Sequence, residues 1–225
     1  GVIHFDKNKK RTQISNLSHG LKVDFITSVY VDSQKRAWFC HFQGLSMYDG
    51  EKVINFDENN GLNYKWVMQV TEDSLGRIWA ATFSGGINIW DEENWTSLTS
   101  DEGLSSDIVY SILTDQEGTV WAGVQNGVDK IKYTKSGEIS SIRNYNKYDG
   151  FIGIENNGSC NYIDGNKNLW FGTINGAMMF NPSKDHINTI PPTIQLTDIK
   201  LFFKKVNWRD ERYSQCLCGV NPWFP

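Results

Sequence analysis

Nine residues combine types and positions that could do chemistry on a polar ligand: Asp24, Lys65, Trp66, Phe83, Asp107, Gln125, Asn126, Glu155 and Asn175. Aromatic rings beside amides and carboxylates suit molecules such as sugars, which present apolar C–H faces and hydroxyls together. Trp66 stands out among them, because corresponding stretches elsewhere in the chain carry Phe25, Ile108 and Asn156 and no second Trp. Catalysis finds less support. Glycoside hydrolysis needs two carboxylates roughly 5 to 10 Å apart, and Asp24, Asp107 and Glu155 are the set that could approach this. His4, His19, His41 and His186 have no recurring Asp or Ser partner, and the chain lacks GxSxG, HExxH and Gly-rich phosphate-loop motifs. Cys216 and Cys218 have no neighbouring His or further Cys to complete a metal site. The expectation is a binding module without metal or cofactor.

Composition narrows the class. The chain has 225 residues, 39% hydrophobic, 21% charged and 13% aromatic, with 20 Gly and a formal net charge of −4. This is an aromatic-rich globular composition, far from disordered or collagen-like chains. The acidic balance argues against nucleic acid and anionic membrane surfaces as partners, and the basic run Lys7 to Arg11 reads as a solvated hairpin face. No apolar stretch approaches 18 residues and the first residue is Gly, so the chain reads as an excised piece whose membrane contact would come through other segments.

The elements that must position these residues are set by a repeat. Asp32, Asp73, Asp115 and Asp164 are spaced by 41, 42 and 49 residues, and Trp38, Trp79, Trp121 and Trp170 each follow six residues later. Gly44, Gly85, Gly127 and Gly176 come six further on. Twelve residues before each of the first three Asp stands a Gly-Leu pair (Gly20, Gly61, Gly103), and in the fourth unit Gly150-Phe151 takes that place with two residues inserted. The clearest unit runs from Gly103 to Tyr133. Ile108 to Thr114, Val120 to Ala122, Val128 to Tyr133 and Ser140 to Asn144 read as strands, separated by an Asp-Gln-Glu-Gly turn and an Asn-Gly hairpin.

Four antiparallel strands in each repeat of about 42 residues make one β-propeller blade, whereas no unit holds a helical apolar period. The fold class is therefore all-β, with about four and a half blades of an incomplete propeller. Residues 1–15 read as the second half of a preceding blade, and 16–57, 58–100, 101–147 and 148–190 as four blades, with the outer strand of the last left open. Pro191-Pro192 opens a new strand over 191–207, and 208–225 form an irregular tail. The four repeat Trp rings are expected to fill the space between sheets, and the four Asp to serve their turns. With the first strand innermost, its leading residues and the turns between second and third strands open on one face around a central channel. That face would carry the nine residues above, with Phe25, Phe42, Ser84 and Asn156.

The pattern GL-S-x-x-I-x-x-I-x-x-D-x-x-G-x-x-W-x-G-x-x-x-G-V, seen best from Gly103 to Val128, resembles the two-component regulator propeller repeat of hybrid sensor histidine kinases. The resemblance covers residues 1–182, and PPTIQLTDIKLFFKKVN resembles the opening of the immunoglobulin-like domain, named for its Tyr triplet, that follows such propellers. It implies a periplasmic sensor domain of an inner-membrane receptor. Such a domain binds oligosaccharides, works as a homodimer and signals to a histidine kinase absent from this chain. Lys35 and Arg36 in the first unit, and Lys167 in the fourth, stand where the repeat has its turn Gly, and the segment after Asn207 departs from the pattern entirely.

Overall fold

The computed structural model describes residues 1–185 except 6 and 154, together with 200–201 and 204–205. The chain divides into two compact units, Gly1–Asp185 and His186–Pro225. In the second, Lys200–Leu201 pairs antiparallel with Lys204–Lys205. The rest of the strand expected over 191–207, and the tail 208–225, lie outside the described residues.

The first unit is a β-propeller built from four antiparallel sheets that follow the repeat, preceded by the hairpin Val2–Phe5 with Arg11–Ile14. The first blade comprises Ser28–Val31, Ala37–His41, Gly44–Tyr48 and Val53–Phe56, and the second Val67–Glu72, Ile78–Thr82, Ile87–Trp90 and Trp95–Leu98. The third comprises Val109–Thr114, Val120–Val124, Gly127–Tyr133 and Ile139–Tyr145. The fourth has three strands among the described residues, Asn156–Ile163, Leu169–Thr173 and Gly176–Phe180.

Each repeat Asp and Trp are one device. The indole Nε1–H of Trp38, Trp79 and Trp121 donates to Oδ2 of Asp32, Asp73 and Asp115, at 2.8 Å each time, and that of Trp170 to Asp164 at 3.0 Å. The other carboxylate oxygen accepts the backbone N–H four residues on, at Arg36, Arg77, Thr119 and Asn168, which closes the turn between first and second strands. The carboxylate thus fixes the turn and the ring together, and the indole N–H can be buried without losing a partner. Lys35 and Lys167 take the left-handed conformation, φ 66° and 63°, that Gly76 and Gly118 supply at φ 80° and 81°. The turns form despite the missing Gly. Arg36, grouped with Lys35 above as a replacement for turn Gly, instead corresponds to Arg77: both donate Nε–H to the turn Asp, and both guanidinium groups lie over the repeat Trp.

Packing is sequential. Trp38 is buried with Leu62, Val67, Val70 and Ile78 of the second blade, Trp79 with Leu104, Val109, Ile112 and Val120 of the third, and Trp121 with Phe151, Leu169 and Phe171 of the fourth. The expectation that all four rings are core holds for these three. It fails for Trp170, which is 38% exposed. Its ring lies on the fourth sheet's far side, in a row with Tyr162 and Met179, and no further sheet covers that row among the described residues.

The Gly-Leu signal has a meaning that the sequence reading missed. Short helical turns, Asn16–His19, Ser100–Glu102 and Lys147–Asp149, precede these Gly, capped by Ser15, Thr99 and Asn146 in reciprocal capping boxes. Gly20, Gly103 and Gly150 end them in left-handed conformation (φ 76°, 110° and 90°), which an L side chain would resist. Asp73→Ala, which leaves the buried Trp79 N–H and the Arg77 guanidinium short of a partner, is expected to lower the unfolding free energy by about 3 kcal/mol in urea titrations. Asp164→Ala, beside the exposed Trp170, should cost far less, and equal losses would contradict this account.

Candidate functional site

The first strands of neighbouring blades lie against one another at the centre. The Gln69 side chain accepts the Ile112 N–H at 2.9 Å and donates to Asn161 at 3.0 Å, and the Thr71 and Thr114 hydroxyls meet at 3.1 Å. In the fourth blade the inserted residues make a wide irregularity between Asn156 and Asn161. Ser159, at φ 55°, there donates its hydroxyl to the Met68 carbonyl of the second blade at 3.0 Å. The insertion therefore bridges the fourth blade to the non-adjacent second blade.

In three blades the residue leading into the first strand meets the residue that follows the second strand. Phe25 faces Phe42 with ring centroids 6.4 Å apart. Trp66 stacks on Phe83 at 4.6 Å with 26° between the planes, and the Phe83 N–H bonds the Trp66 carbonyl at 3.0 Å. Glu155 pairs in the same way with Ile174. Tyr110 joins these positions: its ring lies edge-on to Phe83 at 6.1 Å, and its hydroxyl donates to Glu155 Oε1. A β-bulge between Val109 and Ser111 aims Tyr110 there, a common use of bulges near sites. Burial, reinforced by the Glu155 carboxylate, pushes the Tyr110 pKa up to about 12, so it serves as a neutral donor. Tyr110 is absent from the expected set because nothing in sequence marks which strand residue will be bulged.

The nine expected residues do not form one pocket. Trp66, half-exposed at 38%, Phe83 and Glu155 come together through Tyr110. Asp24 and Asp107 instead hold the connectors, accepting the backbone N–H of Asn16 at 2.8 Å and of Ser100 at 2.7 Å. Lys65 lines a separate charged cleft of ≈ 320 Å³ with Lys22, Gln43 and Asp57. Gln125, Asn126 and Asn175 are exposed on turns, Asn126 beside a larger cleft of ≈ 570 Å³. Asn156, expected on the open face, is buried and donates to the carbonyls of Val124 and Gly127 at 2.8 and 2.7 Å. Among the described residues no group of His, Cys, Asp and Glu is arranged to hold a metal.

Residues 103–126 match the family model described as "Two component regulator propeller". That match places one two-component regulator propeller repeat in the third blade. Its fold is similar to the extracellular domain of the putative hybrid two-component system BT3049 from B. thetaiotaomicron, with TM-score 0.70 and 22% identity over 91% of this chain and 32% of that one. It is also similar to the extracellular domain of BT4673 from the same organism, with TM-score 0.61 and 18% identity over 83% of this chain and 30% of that one. PorZ, a bacterial surface component of the type-IX secretion system of Porphyromonas gingivalis, follows with TM-score 0.55 and 13% identity over 75% and 26% of the two chains. The propeller chain thus spans about a third of the length of the first two structures. No curated protein matches it. No helix among the described residues is long and apolar enough to cross a membrane.

Beneath the Phe42 turn lies His41, fully buried. Its Nδ1 accepts the Gln43 N–H at 3.3 Å and its Nε2 meets Ser46 Oγ at 2.9 Å, while Ser46 donates to Asn55 at 2.6 Å. Burial, with the nearby Lys22 charge, lowers the His41 pKa from 6.5 to about 4. Above pH 6.5 folded and unfolded chains both hold a neutral ring, and between 6.5 and 4 only the unfolded chain takes the proton. Unfolding free energy should therefore fall on acidification across this window by up to about 3 kcal/mol. Denaturant titrations at several pH values should show this dependence shrinking in His41→Gln, and an unchanged slope would overturn the assignment.

Proposed function

We propose that this chain is part of the periplasmic, ligand-sensing propeller of a hybrid two-component sensor. It recognises oligosaccharides on the face that carries Trp66 and passes the signal to a histidine kinase elsewhere in the full protein, where two copies pair. The observation that carries this reading is the Trp66–Phe83 stack, with one ring exposed and the Glu155 carboxylate held nearby by Tyr110. An indole braced from behind by a second ring is a platform for the C–H face of a sugar, and the adjacent carboxylate accepts hydroxyl donors. The propeller repeat and the likeness to extracellular domains of hybrid two-component systems support the receptor context.

A glycosidase or lyase is the competing reading. Asp24 and Asp107 are bound to backbone N–H groups of their connectors and Glu155 to Tyr110, which favours binding over acid–base chemistry. A propeller that docks another protein and no small ligand is the remaining alternative, and saccharide titration separates it.

Calorimetric titration of the chain with neutral and uronate-containing oligosaccharides should find one class that binds with micromolar affinity and is recovered unaltered. Trp66→Ala should weaken that binding by at least roughly tenfold, which is about 1.4 kcal/mol, without changing the far-ultraviolet circular dichroism. Equal affinity in the variant, cleavage of the ligand, or silence across the panel would contradict the proposal.

A further inference from the structure

The connector from the third blade to the fourth walls a cleft of ≈ 570 Å³ that is distinct from the Trp66 platform. Its underside is anchored by Asp129, which is fully buried. That carboxylate accepts the Ser105 N–H at 2.9 Å, the Ser105 hydroxyl at 2.8 Å and the Asn144 amide at 2.8 Å. Asn144 Oδ1 in turn accepts from Asn146 Nδ2 at 2.8 Å, and Asn146 Oδ1 accepts the Tyr148 N–H at 3.0 Å. This chain of bonds holds Ser105, Asn144 and Asn146 in one orientation at the cleft wall. Tyr148 and Ile152 stand 86% and 72% exposed at its margin, and Phe151 backs it from the core. The Asn126 side chain is exposed and makes no hydrogen bond among the described residues.

The repeat supplies an internal comparison. The cleft in the corresponding position of the first blade, ≈ 320 Å³, is charged: Lys22 and Asp57 form an ion pair there, beside Glu58 and Lys65. In register, the third blade has Ser105 for Lys22, Asn146 for Asp57, Asn126 for Gln43 and Tyr148 for Asn59. The change is from ions to amides and one ring. Among the described residues Lys147 is the one charged side chain lining the larger cleft, and its ammonium lies 5.0 Å from the centre of the Tyr148 ring. The buried Asp129 beneath disfavours an anion.

We propose that this second cleft binds an uncharged saccharide ring, with Asn126 bonding ring hydroxyls and Tyr148 offering an apolar surface. The proposal rests on the reading that this propeller receives oligosaccharides, and adds a site and a charge preference to it. Rigid, amide-lined walls with an exposed ring match a ligand that presents hydroxyls and C–H faces but no charge.

The test is titration of the full chain with hexasaccharides of neutral hexoses and, in parallel, of uronates, repeated with Asn126→Ala, Tyr148→Ala and Trp66→Ala. The first two side chains are exposed, and circular dichroism checks that the fold is kept. A neutral hexasaccharide should bind, and Asn126→Ala and Tyr148→Ala should each weaken it at least about tenfold. Binding that survives both changes but is lost with Trp66→Ala would overturn the cleft while leaving the wider reading intact. Binding confined to uronates would overturn the charge preference and with it the assignment. Failure of every saccharide to bind would overturn both.

Discussion

The hydrogen bond from each repeat Trp to the Asp six residues before it is the constraint on which this propeller depends. A buried indole offers a large apolar surface, but its N–H must find an acceptor. A turn carboxylate provides one while also closing its own hairpin, so a single side chain sets both the register of two strands and the position of the ring between blades. Because the ring always faces the following sheet, the packing passes from blade to blade in one direction. Trp170 shows the same hydrogen bond without the covering sheet, and its carboxylate partner has a pKa lowered to about 2, first by that indole N–H and then by the Asn168 amide. The bond thus belongs to the repeat itself, and burial follows from the neighbour.

This arrangement leaves one face free to vary. The turns between first and second strands hold the repeat Asp, whereas the opposite face carries the blade connectors and the turns between second and third strands. On that face the repeat keeps only the backbone plan. The paired positions are Phe25 with Phe42, Trp66 with Phe83, and Glu155 with Ile174, three chemistries on one geometry. The two clefts differ in the same way, charged in the first blade and amide-lined beside the third. The chemistry of this face can therefore change by substitution at these positions without touching the Asp–Trp units.

The blades were legible in the sequence because their signals are local and repeated. Asp, Gly and Trp at fixed offsets report turns and strand faces directly, and the strands of the third blade fall within a residue or two of those read from Gly103 to Tyr133. The site was legible only in part. Trp66 and Phe83 follow from strand order, but Tyr110 reaches Glu155 through a bulge that leaves no trace in sequence. Asp24 and Asp107 looked available because a carboxylate at a strand start gives no sign of the backbone N–H it will hold eight or seven residues upstream. The two residues inserted between Gly150 and Asp164 were legible in the spacing, yet their destination, the Met68 carbonyl two blades away, is a property of the assembled fold.

The central claim is a division among the described Trp rings: Trp38, Trp79 and Trp121 are sealed between blades by the repeat, Trp170 lies exposed on the fourth sheet's far side, and Trp66 is left to meet a ligand. Indole N–H resonances, recorded with isotope-labelled chain during titration with the oligosaccharide that binds it, test this directly. The account predicts that the Trp66 signal shifts with ligand, while those of Trp38, Trp79 and Trp121 stay in place and resist exchange with deuterated solvent. A silent Trp66, or buried indoles that shift and exchange freely, would contradict it.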